Sequence, residues 1–377
     1  MLCYEYPPIG GGGAKVVQGL TSELVRQGHE VDLVTMGFKN LPRYEKIKSF
    51  NIYRVKCLRL RANICTPFEM ITYLISALPL ILKLCKKNNY DINHTHFVYP
   101  DGILAYIVNK LTHLPYILTA HGSDVQGYNP DRFKIIHKFL KPLGKKIIAN
   151  SQRVIVPSIN LENLIRKVSP DVDSTIIPNG INLNKFSPNG NREKKILVVT
   201  RMFERKGVQY FLQALSDLKY GYNINIVGDG PYLETLKRFA TDKKLRVNFL
   251  GFVDNNSKEL RDFYESSMIF VFTSEAENFP VVLLEAMIAG LAIITTNDTG
   301  CAEVVGDSAI LVNSKDPGAI KDALIKLIND PDLCIELGKA ARKRAEENFS
   351  WKNVVSKHIN LYSMFQSKKL SEQVNIL

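Results

Sequence analysis

The segment KKILVVTRMFERKGVQYFLQALSDL, residues 194–218, decides the fold. It opens on a continuous apolar run, KKILVVTR (194–201), of the kind found in parallel strands covered on both faces. It closes on GVQYFLQALSDL (207–218), whose apolar spacing is helical. Between them TRMFERKG (200–207) delivers Arg201 and Lys206 to the strand's carboxyl end, just ahead of the helix. Two fixed cations there suit a diphosphate, although a solvated basic turn reads the same in isolation.

The same alternation runs through the chain. HEVDLVTM (29–36), DINHTHF (91–97), PYILTAHG (115–122), RVIVPS (153–158) and STIIPNG (174–180) read as strands, as do NINIVGDG (223–230), RVNFLGF (246–252), MIFVFTSE (268–275) and LAIITTN (291–297). Helical patterns such as PYLETLKRFATDK (231–243) lie between, which implies βαβ units and parallel sheets. The alternation pauses at NGINLNKFSPNGNREKK (179–195), rich in Asn, Gly, Pro and Lys, which reads as a linker. The predicted organisation is two doubly wound α/β domains, 1–184 and 185–351. Ligands in such sheets bind beyond the carboxyl ends of the strands, and two facing sheets would border one cleft.

Length and composition agree. At about 150 residues per domain, 377 residues make two or three domains. Net charge is +12, and residues 1–185 carry 24 of the 49 Lys and Arg against 13 of the 37 Asp and Glu, so the first half is the basic one. Such a surface attracts nucleic acid, anionic lipid or phosphorylated small molecules. Six scattered cysteines without a CxxC pair fit a reducing cytoplasm, and no signal peptide is expected at the N-terminus. MITYLISALPLIL (70–82) falls short of the roughly 18–20 residues that span a bilayer and reads as a buried helix.

Several motifs carry chemistry. IGGGGAKVV (9–17) places Gly11, Gly12 and Gly13 where a helix begins, so backbone N–H groups can approach an anion; it lacks the GK[ST] of a Walker loop, and a flexible turn is the plainer reading. VGDGPYL (227–233) lacks the third glycine of a dinucleotide fingerprint. In SEAENFPVVLLEAMIAG, Pro280 suits the first turn of a helix, with Glu285 about a turn and a half inside and Glu277 on the loop before it. Their separation of eight residues sets them about 80° apart at 100° per residue, so they border the helix start from different sides and can accept bonds from sugar or ribose hydroxyls. A first-turn acid favoured by the helix dipole is the alternative for either glutamate alone. His121 in AHGSD and His96 in DINHTHF stand at strand ends, positioned for a ligand or as structural histidines. No third ligand joins them, so no metal is expected; DVD (171–173) reads as a solvated loop. In RFKIIHKFLKPLGKKII (132–148), Lys134, Lys138, Lys141 and Lys145 share one helical face opposite Ile136, Phe139, Leu140, Leu143 and Ile147, a pattern suited to an anionic membrane surface or to packing on its own domain.

Taken together, PPIGGGGAKVV, DINHTHF, TAHGSD, IPNGIN, TRMFERKG, IVGDGP, FLGFVD, SEAENFPVVLLEAMIAG, TGCAEVV and FSWKNVV resemble the retaining glycosyltransferases of family 4. The resemblance implies the GT-B fold, two facing Rossmann-like domains with a cleft between them. It also implies that the last helix, from about 352 to 377, joins the N-terminal, acceptor-side domain. Residues implied to bind the donor are Gly11, Gly12, Gly13, Arg201, Lys206, Glu277, Asn278, Phe279, Val281 and Glu285. Arg201 and Lys206 would hold the diphosphate, Glu285 the ribose, and Glu277 with the N–H groups near Asn278, Phe279 and Val281 the transferred sugar. His121, Arg201, Lys206 and Glu277 are the implied catalytic set, with His96 and Asp124 on the acceptor side. Two departures stand out. The chain begins inside the first strand, which is therefore expected to be frayed. The usual GG-x-PE loop reads TGCAE, with Thr299 in place of its first glycine and no proline.

The expected activity is metal-independent transfer of a sugar from a nucleotide-diphosphate sugar to a hydroxyl acceptor, with retention of configuration and no cofactor. Expected partners are the donor, a sugar or lipid-linked acceptor and an anionic membrane surface, not nucleic acid, with the enzyme cytoplasmic or peripheral at the cytoplasmic membrane face. A nucleotide-sugar epimerase of the same fold is the competing reading.

Overall fold

The computed structural model describes residues 1–125, 134–188, 192–216, 218–219 and 221–374, the side chains of 134–139 and 366–374 apart. The chain divides into two compact units, Met1–Gly180 with Trp351–Leu377, and Ile181–Ser350.

In the first unit the strands are β1 (Val31–Met36), β2 (Tyr44–Ile47), β3 (Phe50–Val55), β4 (Asn93–His96), β5 (Tyr116–Thr119), β6 (Arg153–Val156) and β7 (Ser174–Ile176). The helices are α1 (Gly12–Arg26), α2 (Pro67–Lys87), α3 (Asp101–Thr112), α4 (Lys134–Ala149) and α5 (Ile159–Val168). Strands β4-β5-β6-β7 form one parallel sheet, and β1-β3-β2 another in which only β2 is antiparallel. Residues 1–4 join the two. Leu2 bridges both Val34 and Thr95, with Leu2 N donating to His94 O (3.1 Å) and Cys3 N to Val34 O (3.2 Å). Leu2 and Cys3 are fully buried. The expectation of a frayed first strand is thus wrong, because this segment has ladder partners on both sides and a buried apolar flank.

The second unit holds β8 (Lys195–Val199), β9 (Asn223–Val227), β10 (Val247–Gly251), β11 (Ile269–Phe272), β12 (Ala292–Thr296) and β13 (Ile310–Val312). With them come α6 (Val208–Leu215), α7 (Leu233–Asp242), α8 (Lys258–Ser266), α9 (Val281–Ala289), α10 (Gly300–Val305), α11 (Pro317–Asn329) and α12 (Pro331–Phe349). All six strands are parallel, in the order β10-β9-β8-β11-β12-β13. Their side chains alternate between two cores. Leu197, Val199, Phe270, Phe272 and Ile293 pack on one face, and Ile196, Val198, Ile224, Ile269, Val271 and Ile294 on the other. This double coverage is why the strands read as unbroken apolar runs.

Every strand read from the sequence is present; β2, β3 and β13 were not anticipated. After α12, helix α13 (Trp351–Val374) belongs to the first unit, where Trp351 lies so close to α1 that a methyl group on Gly19 would stand 2.1 Å from its ring.

Helix α2 corrects another expectation. It begins with a full capping box, in which Thr66 and Glu69 exchange bonds with each other's backbone, and it runs longer than the sequence suggested. Only one side is buried, through Tyr73, Ala77, Ile81 and Leu84, while Phe68, Ile71 and Ile75 are exposed. The apolar run is not a buried helix, because α3, β1 and β3 cover one side of it only. Of the 132–148 pattern, residues 132–133 and the side chains through 139 lie outside the described residues; Lys141 and Lys145 are exposed and Ile147 is buried.

Candidate active site

In the second unit the winding reverses between β8 and β11, and in an open α/β sheet such a switch point leaves a crevice at the strands' carboxyl ends. Two loops meet there and are stitched together. Thr273 Oγ1 donates to Gly207 O (3.0 Å), Ser274 Oγ to Arg205 O (3.2 Å) and Glu275 N to Arg205 O (2.9 Å). Gly207 has φ +70, and a Cβ there would stand 1.9 Å from Thr273 O, so only glycine lets the loops close. Gly228 of the VGDG turn, at φ +133, presses equally close to Thr200 O. Its glycine character is thus explained by packing on the TRM loop.

The stitching brings sequence-distant charges together. Lys206 ends a 3₁₀ turn, Glu204–Lys206, and its Nζ forms an ion pair with Glu277 Oε1. Both side chains are buried. Burial pulls the Lys206 ammonium below its usual range; Glu277 opposes that shift, while Arg205 and Arg201 add to it. Arg201 is exposed at the end of β8, its guanidinium 5.5 Å from the centre of the Phe203 ring.

Pro280 is the N-cap of α9, one residue before the first turn, and no side chain caps that end. Val281 therefore opens α9 with its first backbone N–H, next to the loop that carries Glu277, Asn278 and Phe279. Glu285 is in the fifth position of α9 and nearly fully buried. It pairs with Lys185 Nζ and accepts from Tyr264 Oη (3.1 Å). Neither partner was found from the sequence: Lys185 is in the linker and Tyr264 on α8, and neither belongs to a motif. Thr299 and Cys301 have structural work as well. Thr299 accepts from Cys301 N (3.2 Å) to start α10, and Cys301 is buried.

In the first unit, His96 ends β4 and His121 follows β5, the neighbouring parallel strand. His96 Nδ1 and His121 Nε2 are 3.2 Å apart, and the His121 ring tilts over Phe97 at 4.4 Å between centroids. Gly13 is beside them, since a Cβ there would lie 3.5 Å from His121 Cγ. Gly11 is the N-cap of α1, and Gly11 and Gly12 face open space. The glycine loop and His121 are thus one locality. Burial holds His121 down at about 4, so its ring is neutral at physiological pH.

His96 is fully buried behind His121, and its Nε2 has no hydrogen-bond partner. Asp124 is likewise withdrawn: it is buried, and its carboxylate accepts from Val98 N (2.7 Å), His121 N (3.0 Å) and Gly122 N (2.9 Å). It braces the loop carrying His121. The histidines continue inward. His94 stacks on His96 at 4.3 Å, with its ring nitrogens 2.6 Å from Tyr362 Oη and 2.7 Å from Thr119 Oγ1, and His358 of α13 is 5.6 Å from His94. Among the described residues no group of three His, Cys, Asp or Glu could hold a metal ion; of the DVD triplet, Asp173 pairs with Arg153.

Residues 10–185 match the model for Glycosyltransferase Family 4, and residues 181–344 that for glycosyl transferases group 1. An uncharacterized glycosyltransferase of Methanocaldococcus jannaschii is 30% identical, with 97% of each chain covered. The N-acetyl-alpha-D-glucosaminyl L-malate synthase of Bacillus anthracis is 26% identical over 95% of this chain and 94% of its own. Among solved structures, sucrose-phosphate synthase from Thermosynechococcus elongatus matches with a TM-score of 0.82 at 22% identity, covering 95% of this chain and 94% of that one; the likeness is one of fold, GT-B.

Two predictions concern these buried titratable groups. Removing one partner of a buried ion pair leaves the other uncompensated, at a cost of about 3–5 kcal/mol, whereas an apolar pair of similar volume is nearly neutral. Glu277→Leu alone should therefore lower the urea midpoint sharply, and Lys206→Met added to it should recover most of the loss. The buried His358 is held at about 4 against an ordinary 6.5. Between those values the unfolded chain binds a proton that the native state refuses, so stability present above pH 6.5 is lost as pH falls toward 4. His358→Phe should spare about 2–3 kcal/mol of that loss between pH 7 and 4.5, measured by denaturation at each pH.

Proposed function

The chain belongs to glycosyltransferase family 4, and from that premise we propose that it moves a sugar from a nucleotide-diphosphate sugar to a hydroxyl on a sugar or lipid-linked acceptor, with retention of configuration and without a metal ion. The observation that carries this reading is the meeting of Arg201, Lys206, Glu277 and the uncapped start of α9 at the switch point of the second unit.

The donor's anomeric carbon becomes cation-like as its bond to the diphosphate oxygen breaks, and the electron pair leaves with the phosphate. Charge grows on the diphosphate, which Arg201, Lys206 and the start of α9 receive, so they bind the transition state better than the ground state. In the structure Glu277 neutralises Lys206. When a diphosphate takes that ammonium, the Glu277 carboxylate is released to hold hydroxyls of the transferred sugar. Glu285 accepts the ribose hydroxyls in place of Lys185, while Tyr264 keeps its bond.

Chemistry on one face of the sugar follows from the supply of bases. The acceptor oxygen bonds to the anomeric carbon on the side from which the phosphate leaves, and its proton passes to a phosphate oxygen. His121, neutral at working pH, orients the acceptor side, with the Gly11–Gly13 loop beside it. The described cysteines are all free, four of them buried, which suits a reducing compartment and a cytoplasmic enzyme.

Arg201 is exposed, so its loss leaves the fold intact. Arg201→Ala should lower turnover of the preferred nucleotide sugar by roughly 10²-fold at unchanged melting temperature, with Arg201→Lys between the two. Turnover equal to the parent's would remove the assignment. NMR of the product should show the donor's anomeric configuration kept.

A further inference from the structure

Helix α2 has an outer face that the first unit leaves open. Phe68, Ile71, Ile75 and Pro79 recur at helical spacing along it. Phe68 is 64% exposed, Ile71 52% and Ile75 70%. The preceding loop extends the patch. Leu58 N donates to Thr72 Oγ1 (3.0 Å) and Leu60 N to Glu69 Oε1 (2.7 Å), which lays Leu58 and Leu60 beside the first turns of the helix. Leu60 is 71% exposed, and Leu58 and Ile64 are also exposed. Contiguous apolar surface of this kind marks a binding face.

Charge selects the occupant. Lys56, Arg61, Lys83, Lys86 and Lys87 are exposed around the patch, and Lys83 and Lys86 continue the outer face toward the end of α2. The only acid between residues 56 and 87 is Glu69, which is buried and takes the N–H groups of Leu60 and Thr66. A symmetric pairing of two copies through this face would crowd their cations together with no exposed acid from this segment to offset them.

We propose that the outer face of α2, with residues 58–64, docks on an anionic phospholipid bilayer. Apolar side chains enter the acyl boundary while the lysines reach phosphate headgroups, as on an amphipathic helix lying in the interface. The helix is long and apolar enough to cross a membrane, yet its inner face is tied into the fold. Tyr73 Oη donates to Asp101 Oδ1 (2.8 Å), and Ala77, Ile81 and Leu84 are buried. It therefore lies on the membrane and does not span it. Vesicle binding is read without donor or acceptor, so this inference stands or falls apart from the reading of sugar transfer.

The test is flotation of the full chain with phosphatidylcholine vesicles, with and without phosphatidylglycerol, at low and high salt. Binding is expected only with phosphatidylglycerol and should weaken as salt rises. Ile71→Ser/Ile75→Ser should weaken it at least about tenfold, and Lys83→Gln and Lys86→Gln each roughly fivefold at low salt, all at parental melting temperature. Three results would overturn the proposal: no flotation of the parent protein, equal flotation of the double serine variant, or a parent that ignores vesicles and forms a dimer that the serines dissolve.

Discussion

The second unit is organised around a buried ion pair at the reversal point of its sheet. Lys206 and Glu277 are distant in sequence, and neither would be stable alone at such burial. Parallel strands β8 and β11 bring their loops together, Gly207 removes the steric barrier between them, and side-chain hydroxyls of Thr273 and Ser274 tie them. A pair held this way is poised electrostatically. An anion arriving at Lys206 exchanges one negative partner for another, so the cost of taking the ammonium from water has already been met by the fold.

The first unit uses burial differently. Four of its histidines, His358 on α13, His94, His96 and His121, form a series of neighbouring rings, these four held neutral by desolvation. Asp124 fixes the loop at the outer end through three backbone N–H groups. The arrangement makes His121 an oriented, uncharged ring beside an open helix start, suited to a hydroxyl more than to a charge.

Much of this was legible in the sequence, for a physical reason. Strands covered on both faces must be apolar throughout, so β8, β9, β11 and β12 announced themselves, and the residues following β8 and β11 could be placed at carboxyl ends. What was hidden depended on tertiary contact. Lys185 and Tyr264 reach Glu285 only because the linker and α8 fold against α9. Asp124 and His96 carry the residue types of a binding site, but backbone N–H groups and burial absorb them. The run at 70–82 is apolar on every side, and periodicity cannot reveal that only one side finds a partner.

The most direct measurement is a crystal structure of the protein with a nucleoside diphosphate bound. The pyrophosphate should rest against Arg201, Lys206 and the start of α9, with the ribose at Glu285 and the Lys206–Glu277 pair opened. A nucleotide anchored elsewhere, with that pair intact, would contradict the assignment of these residues to the donor.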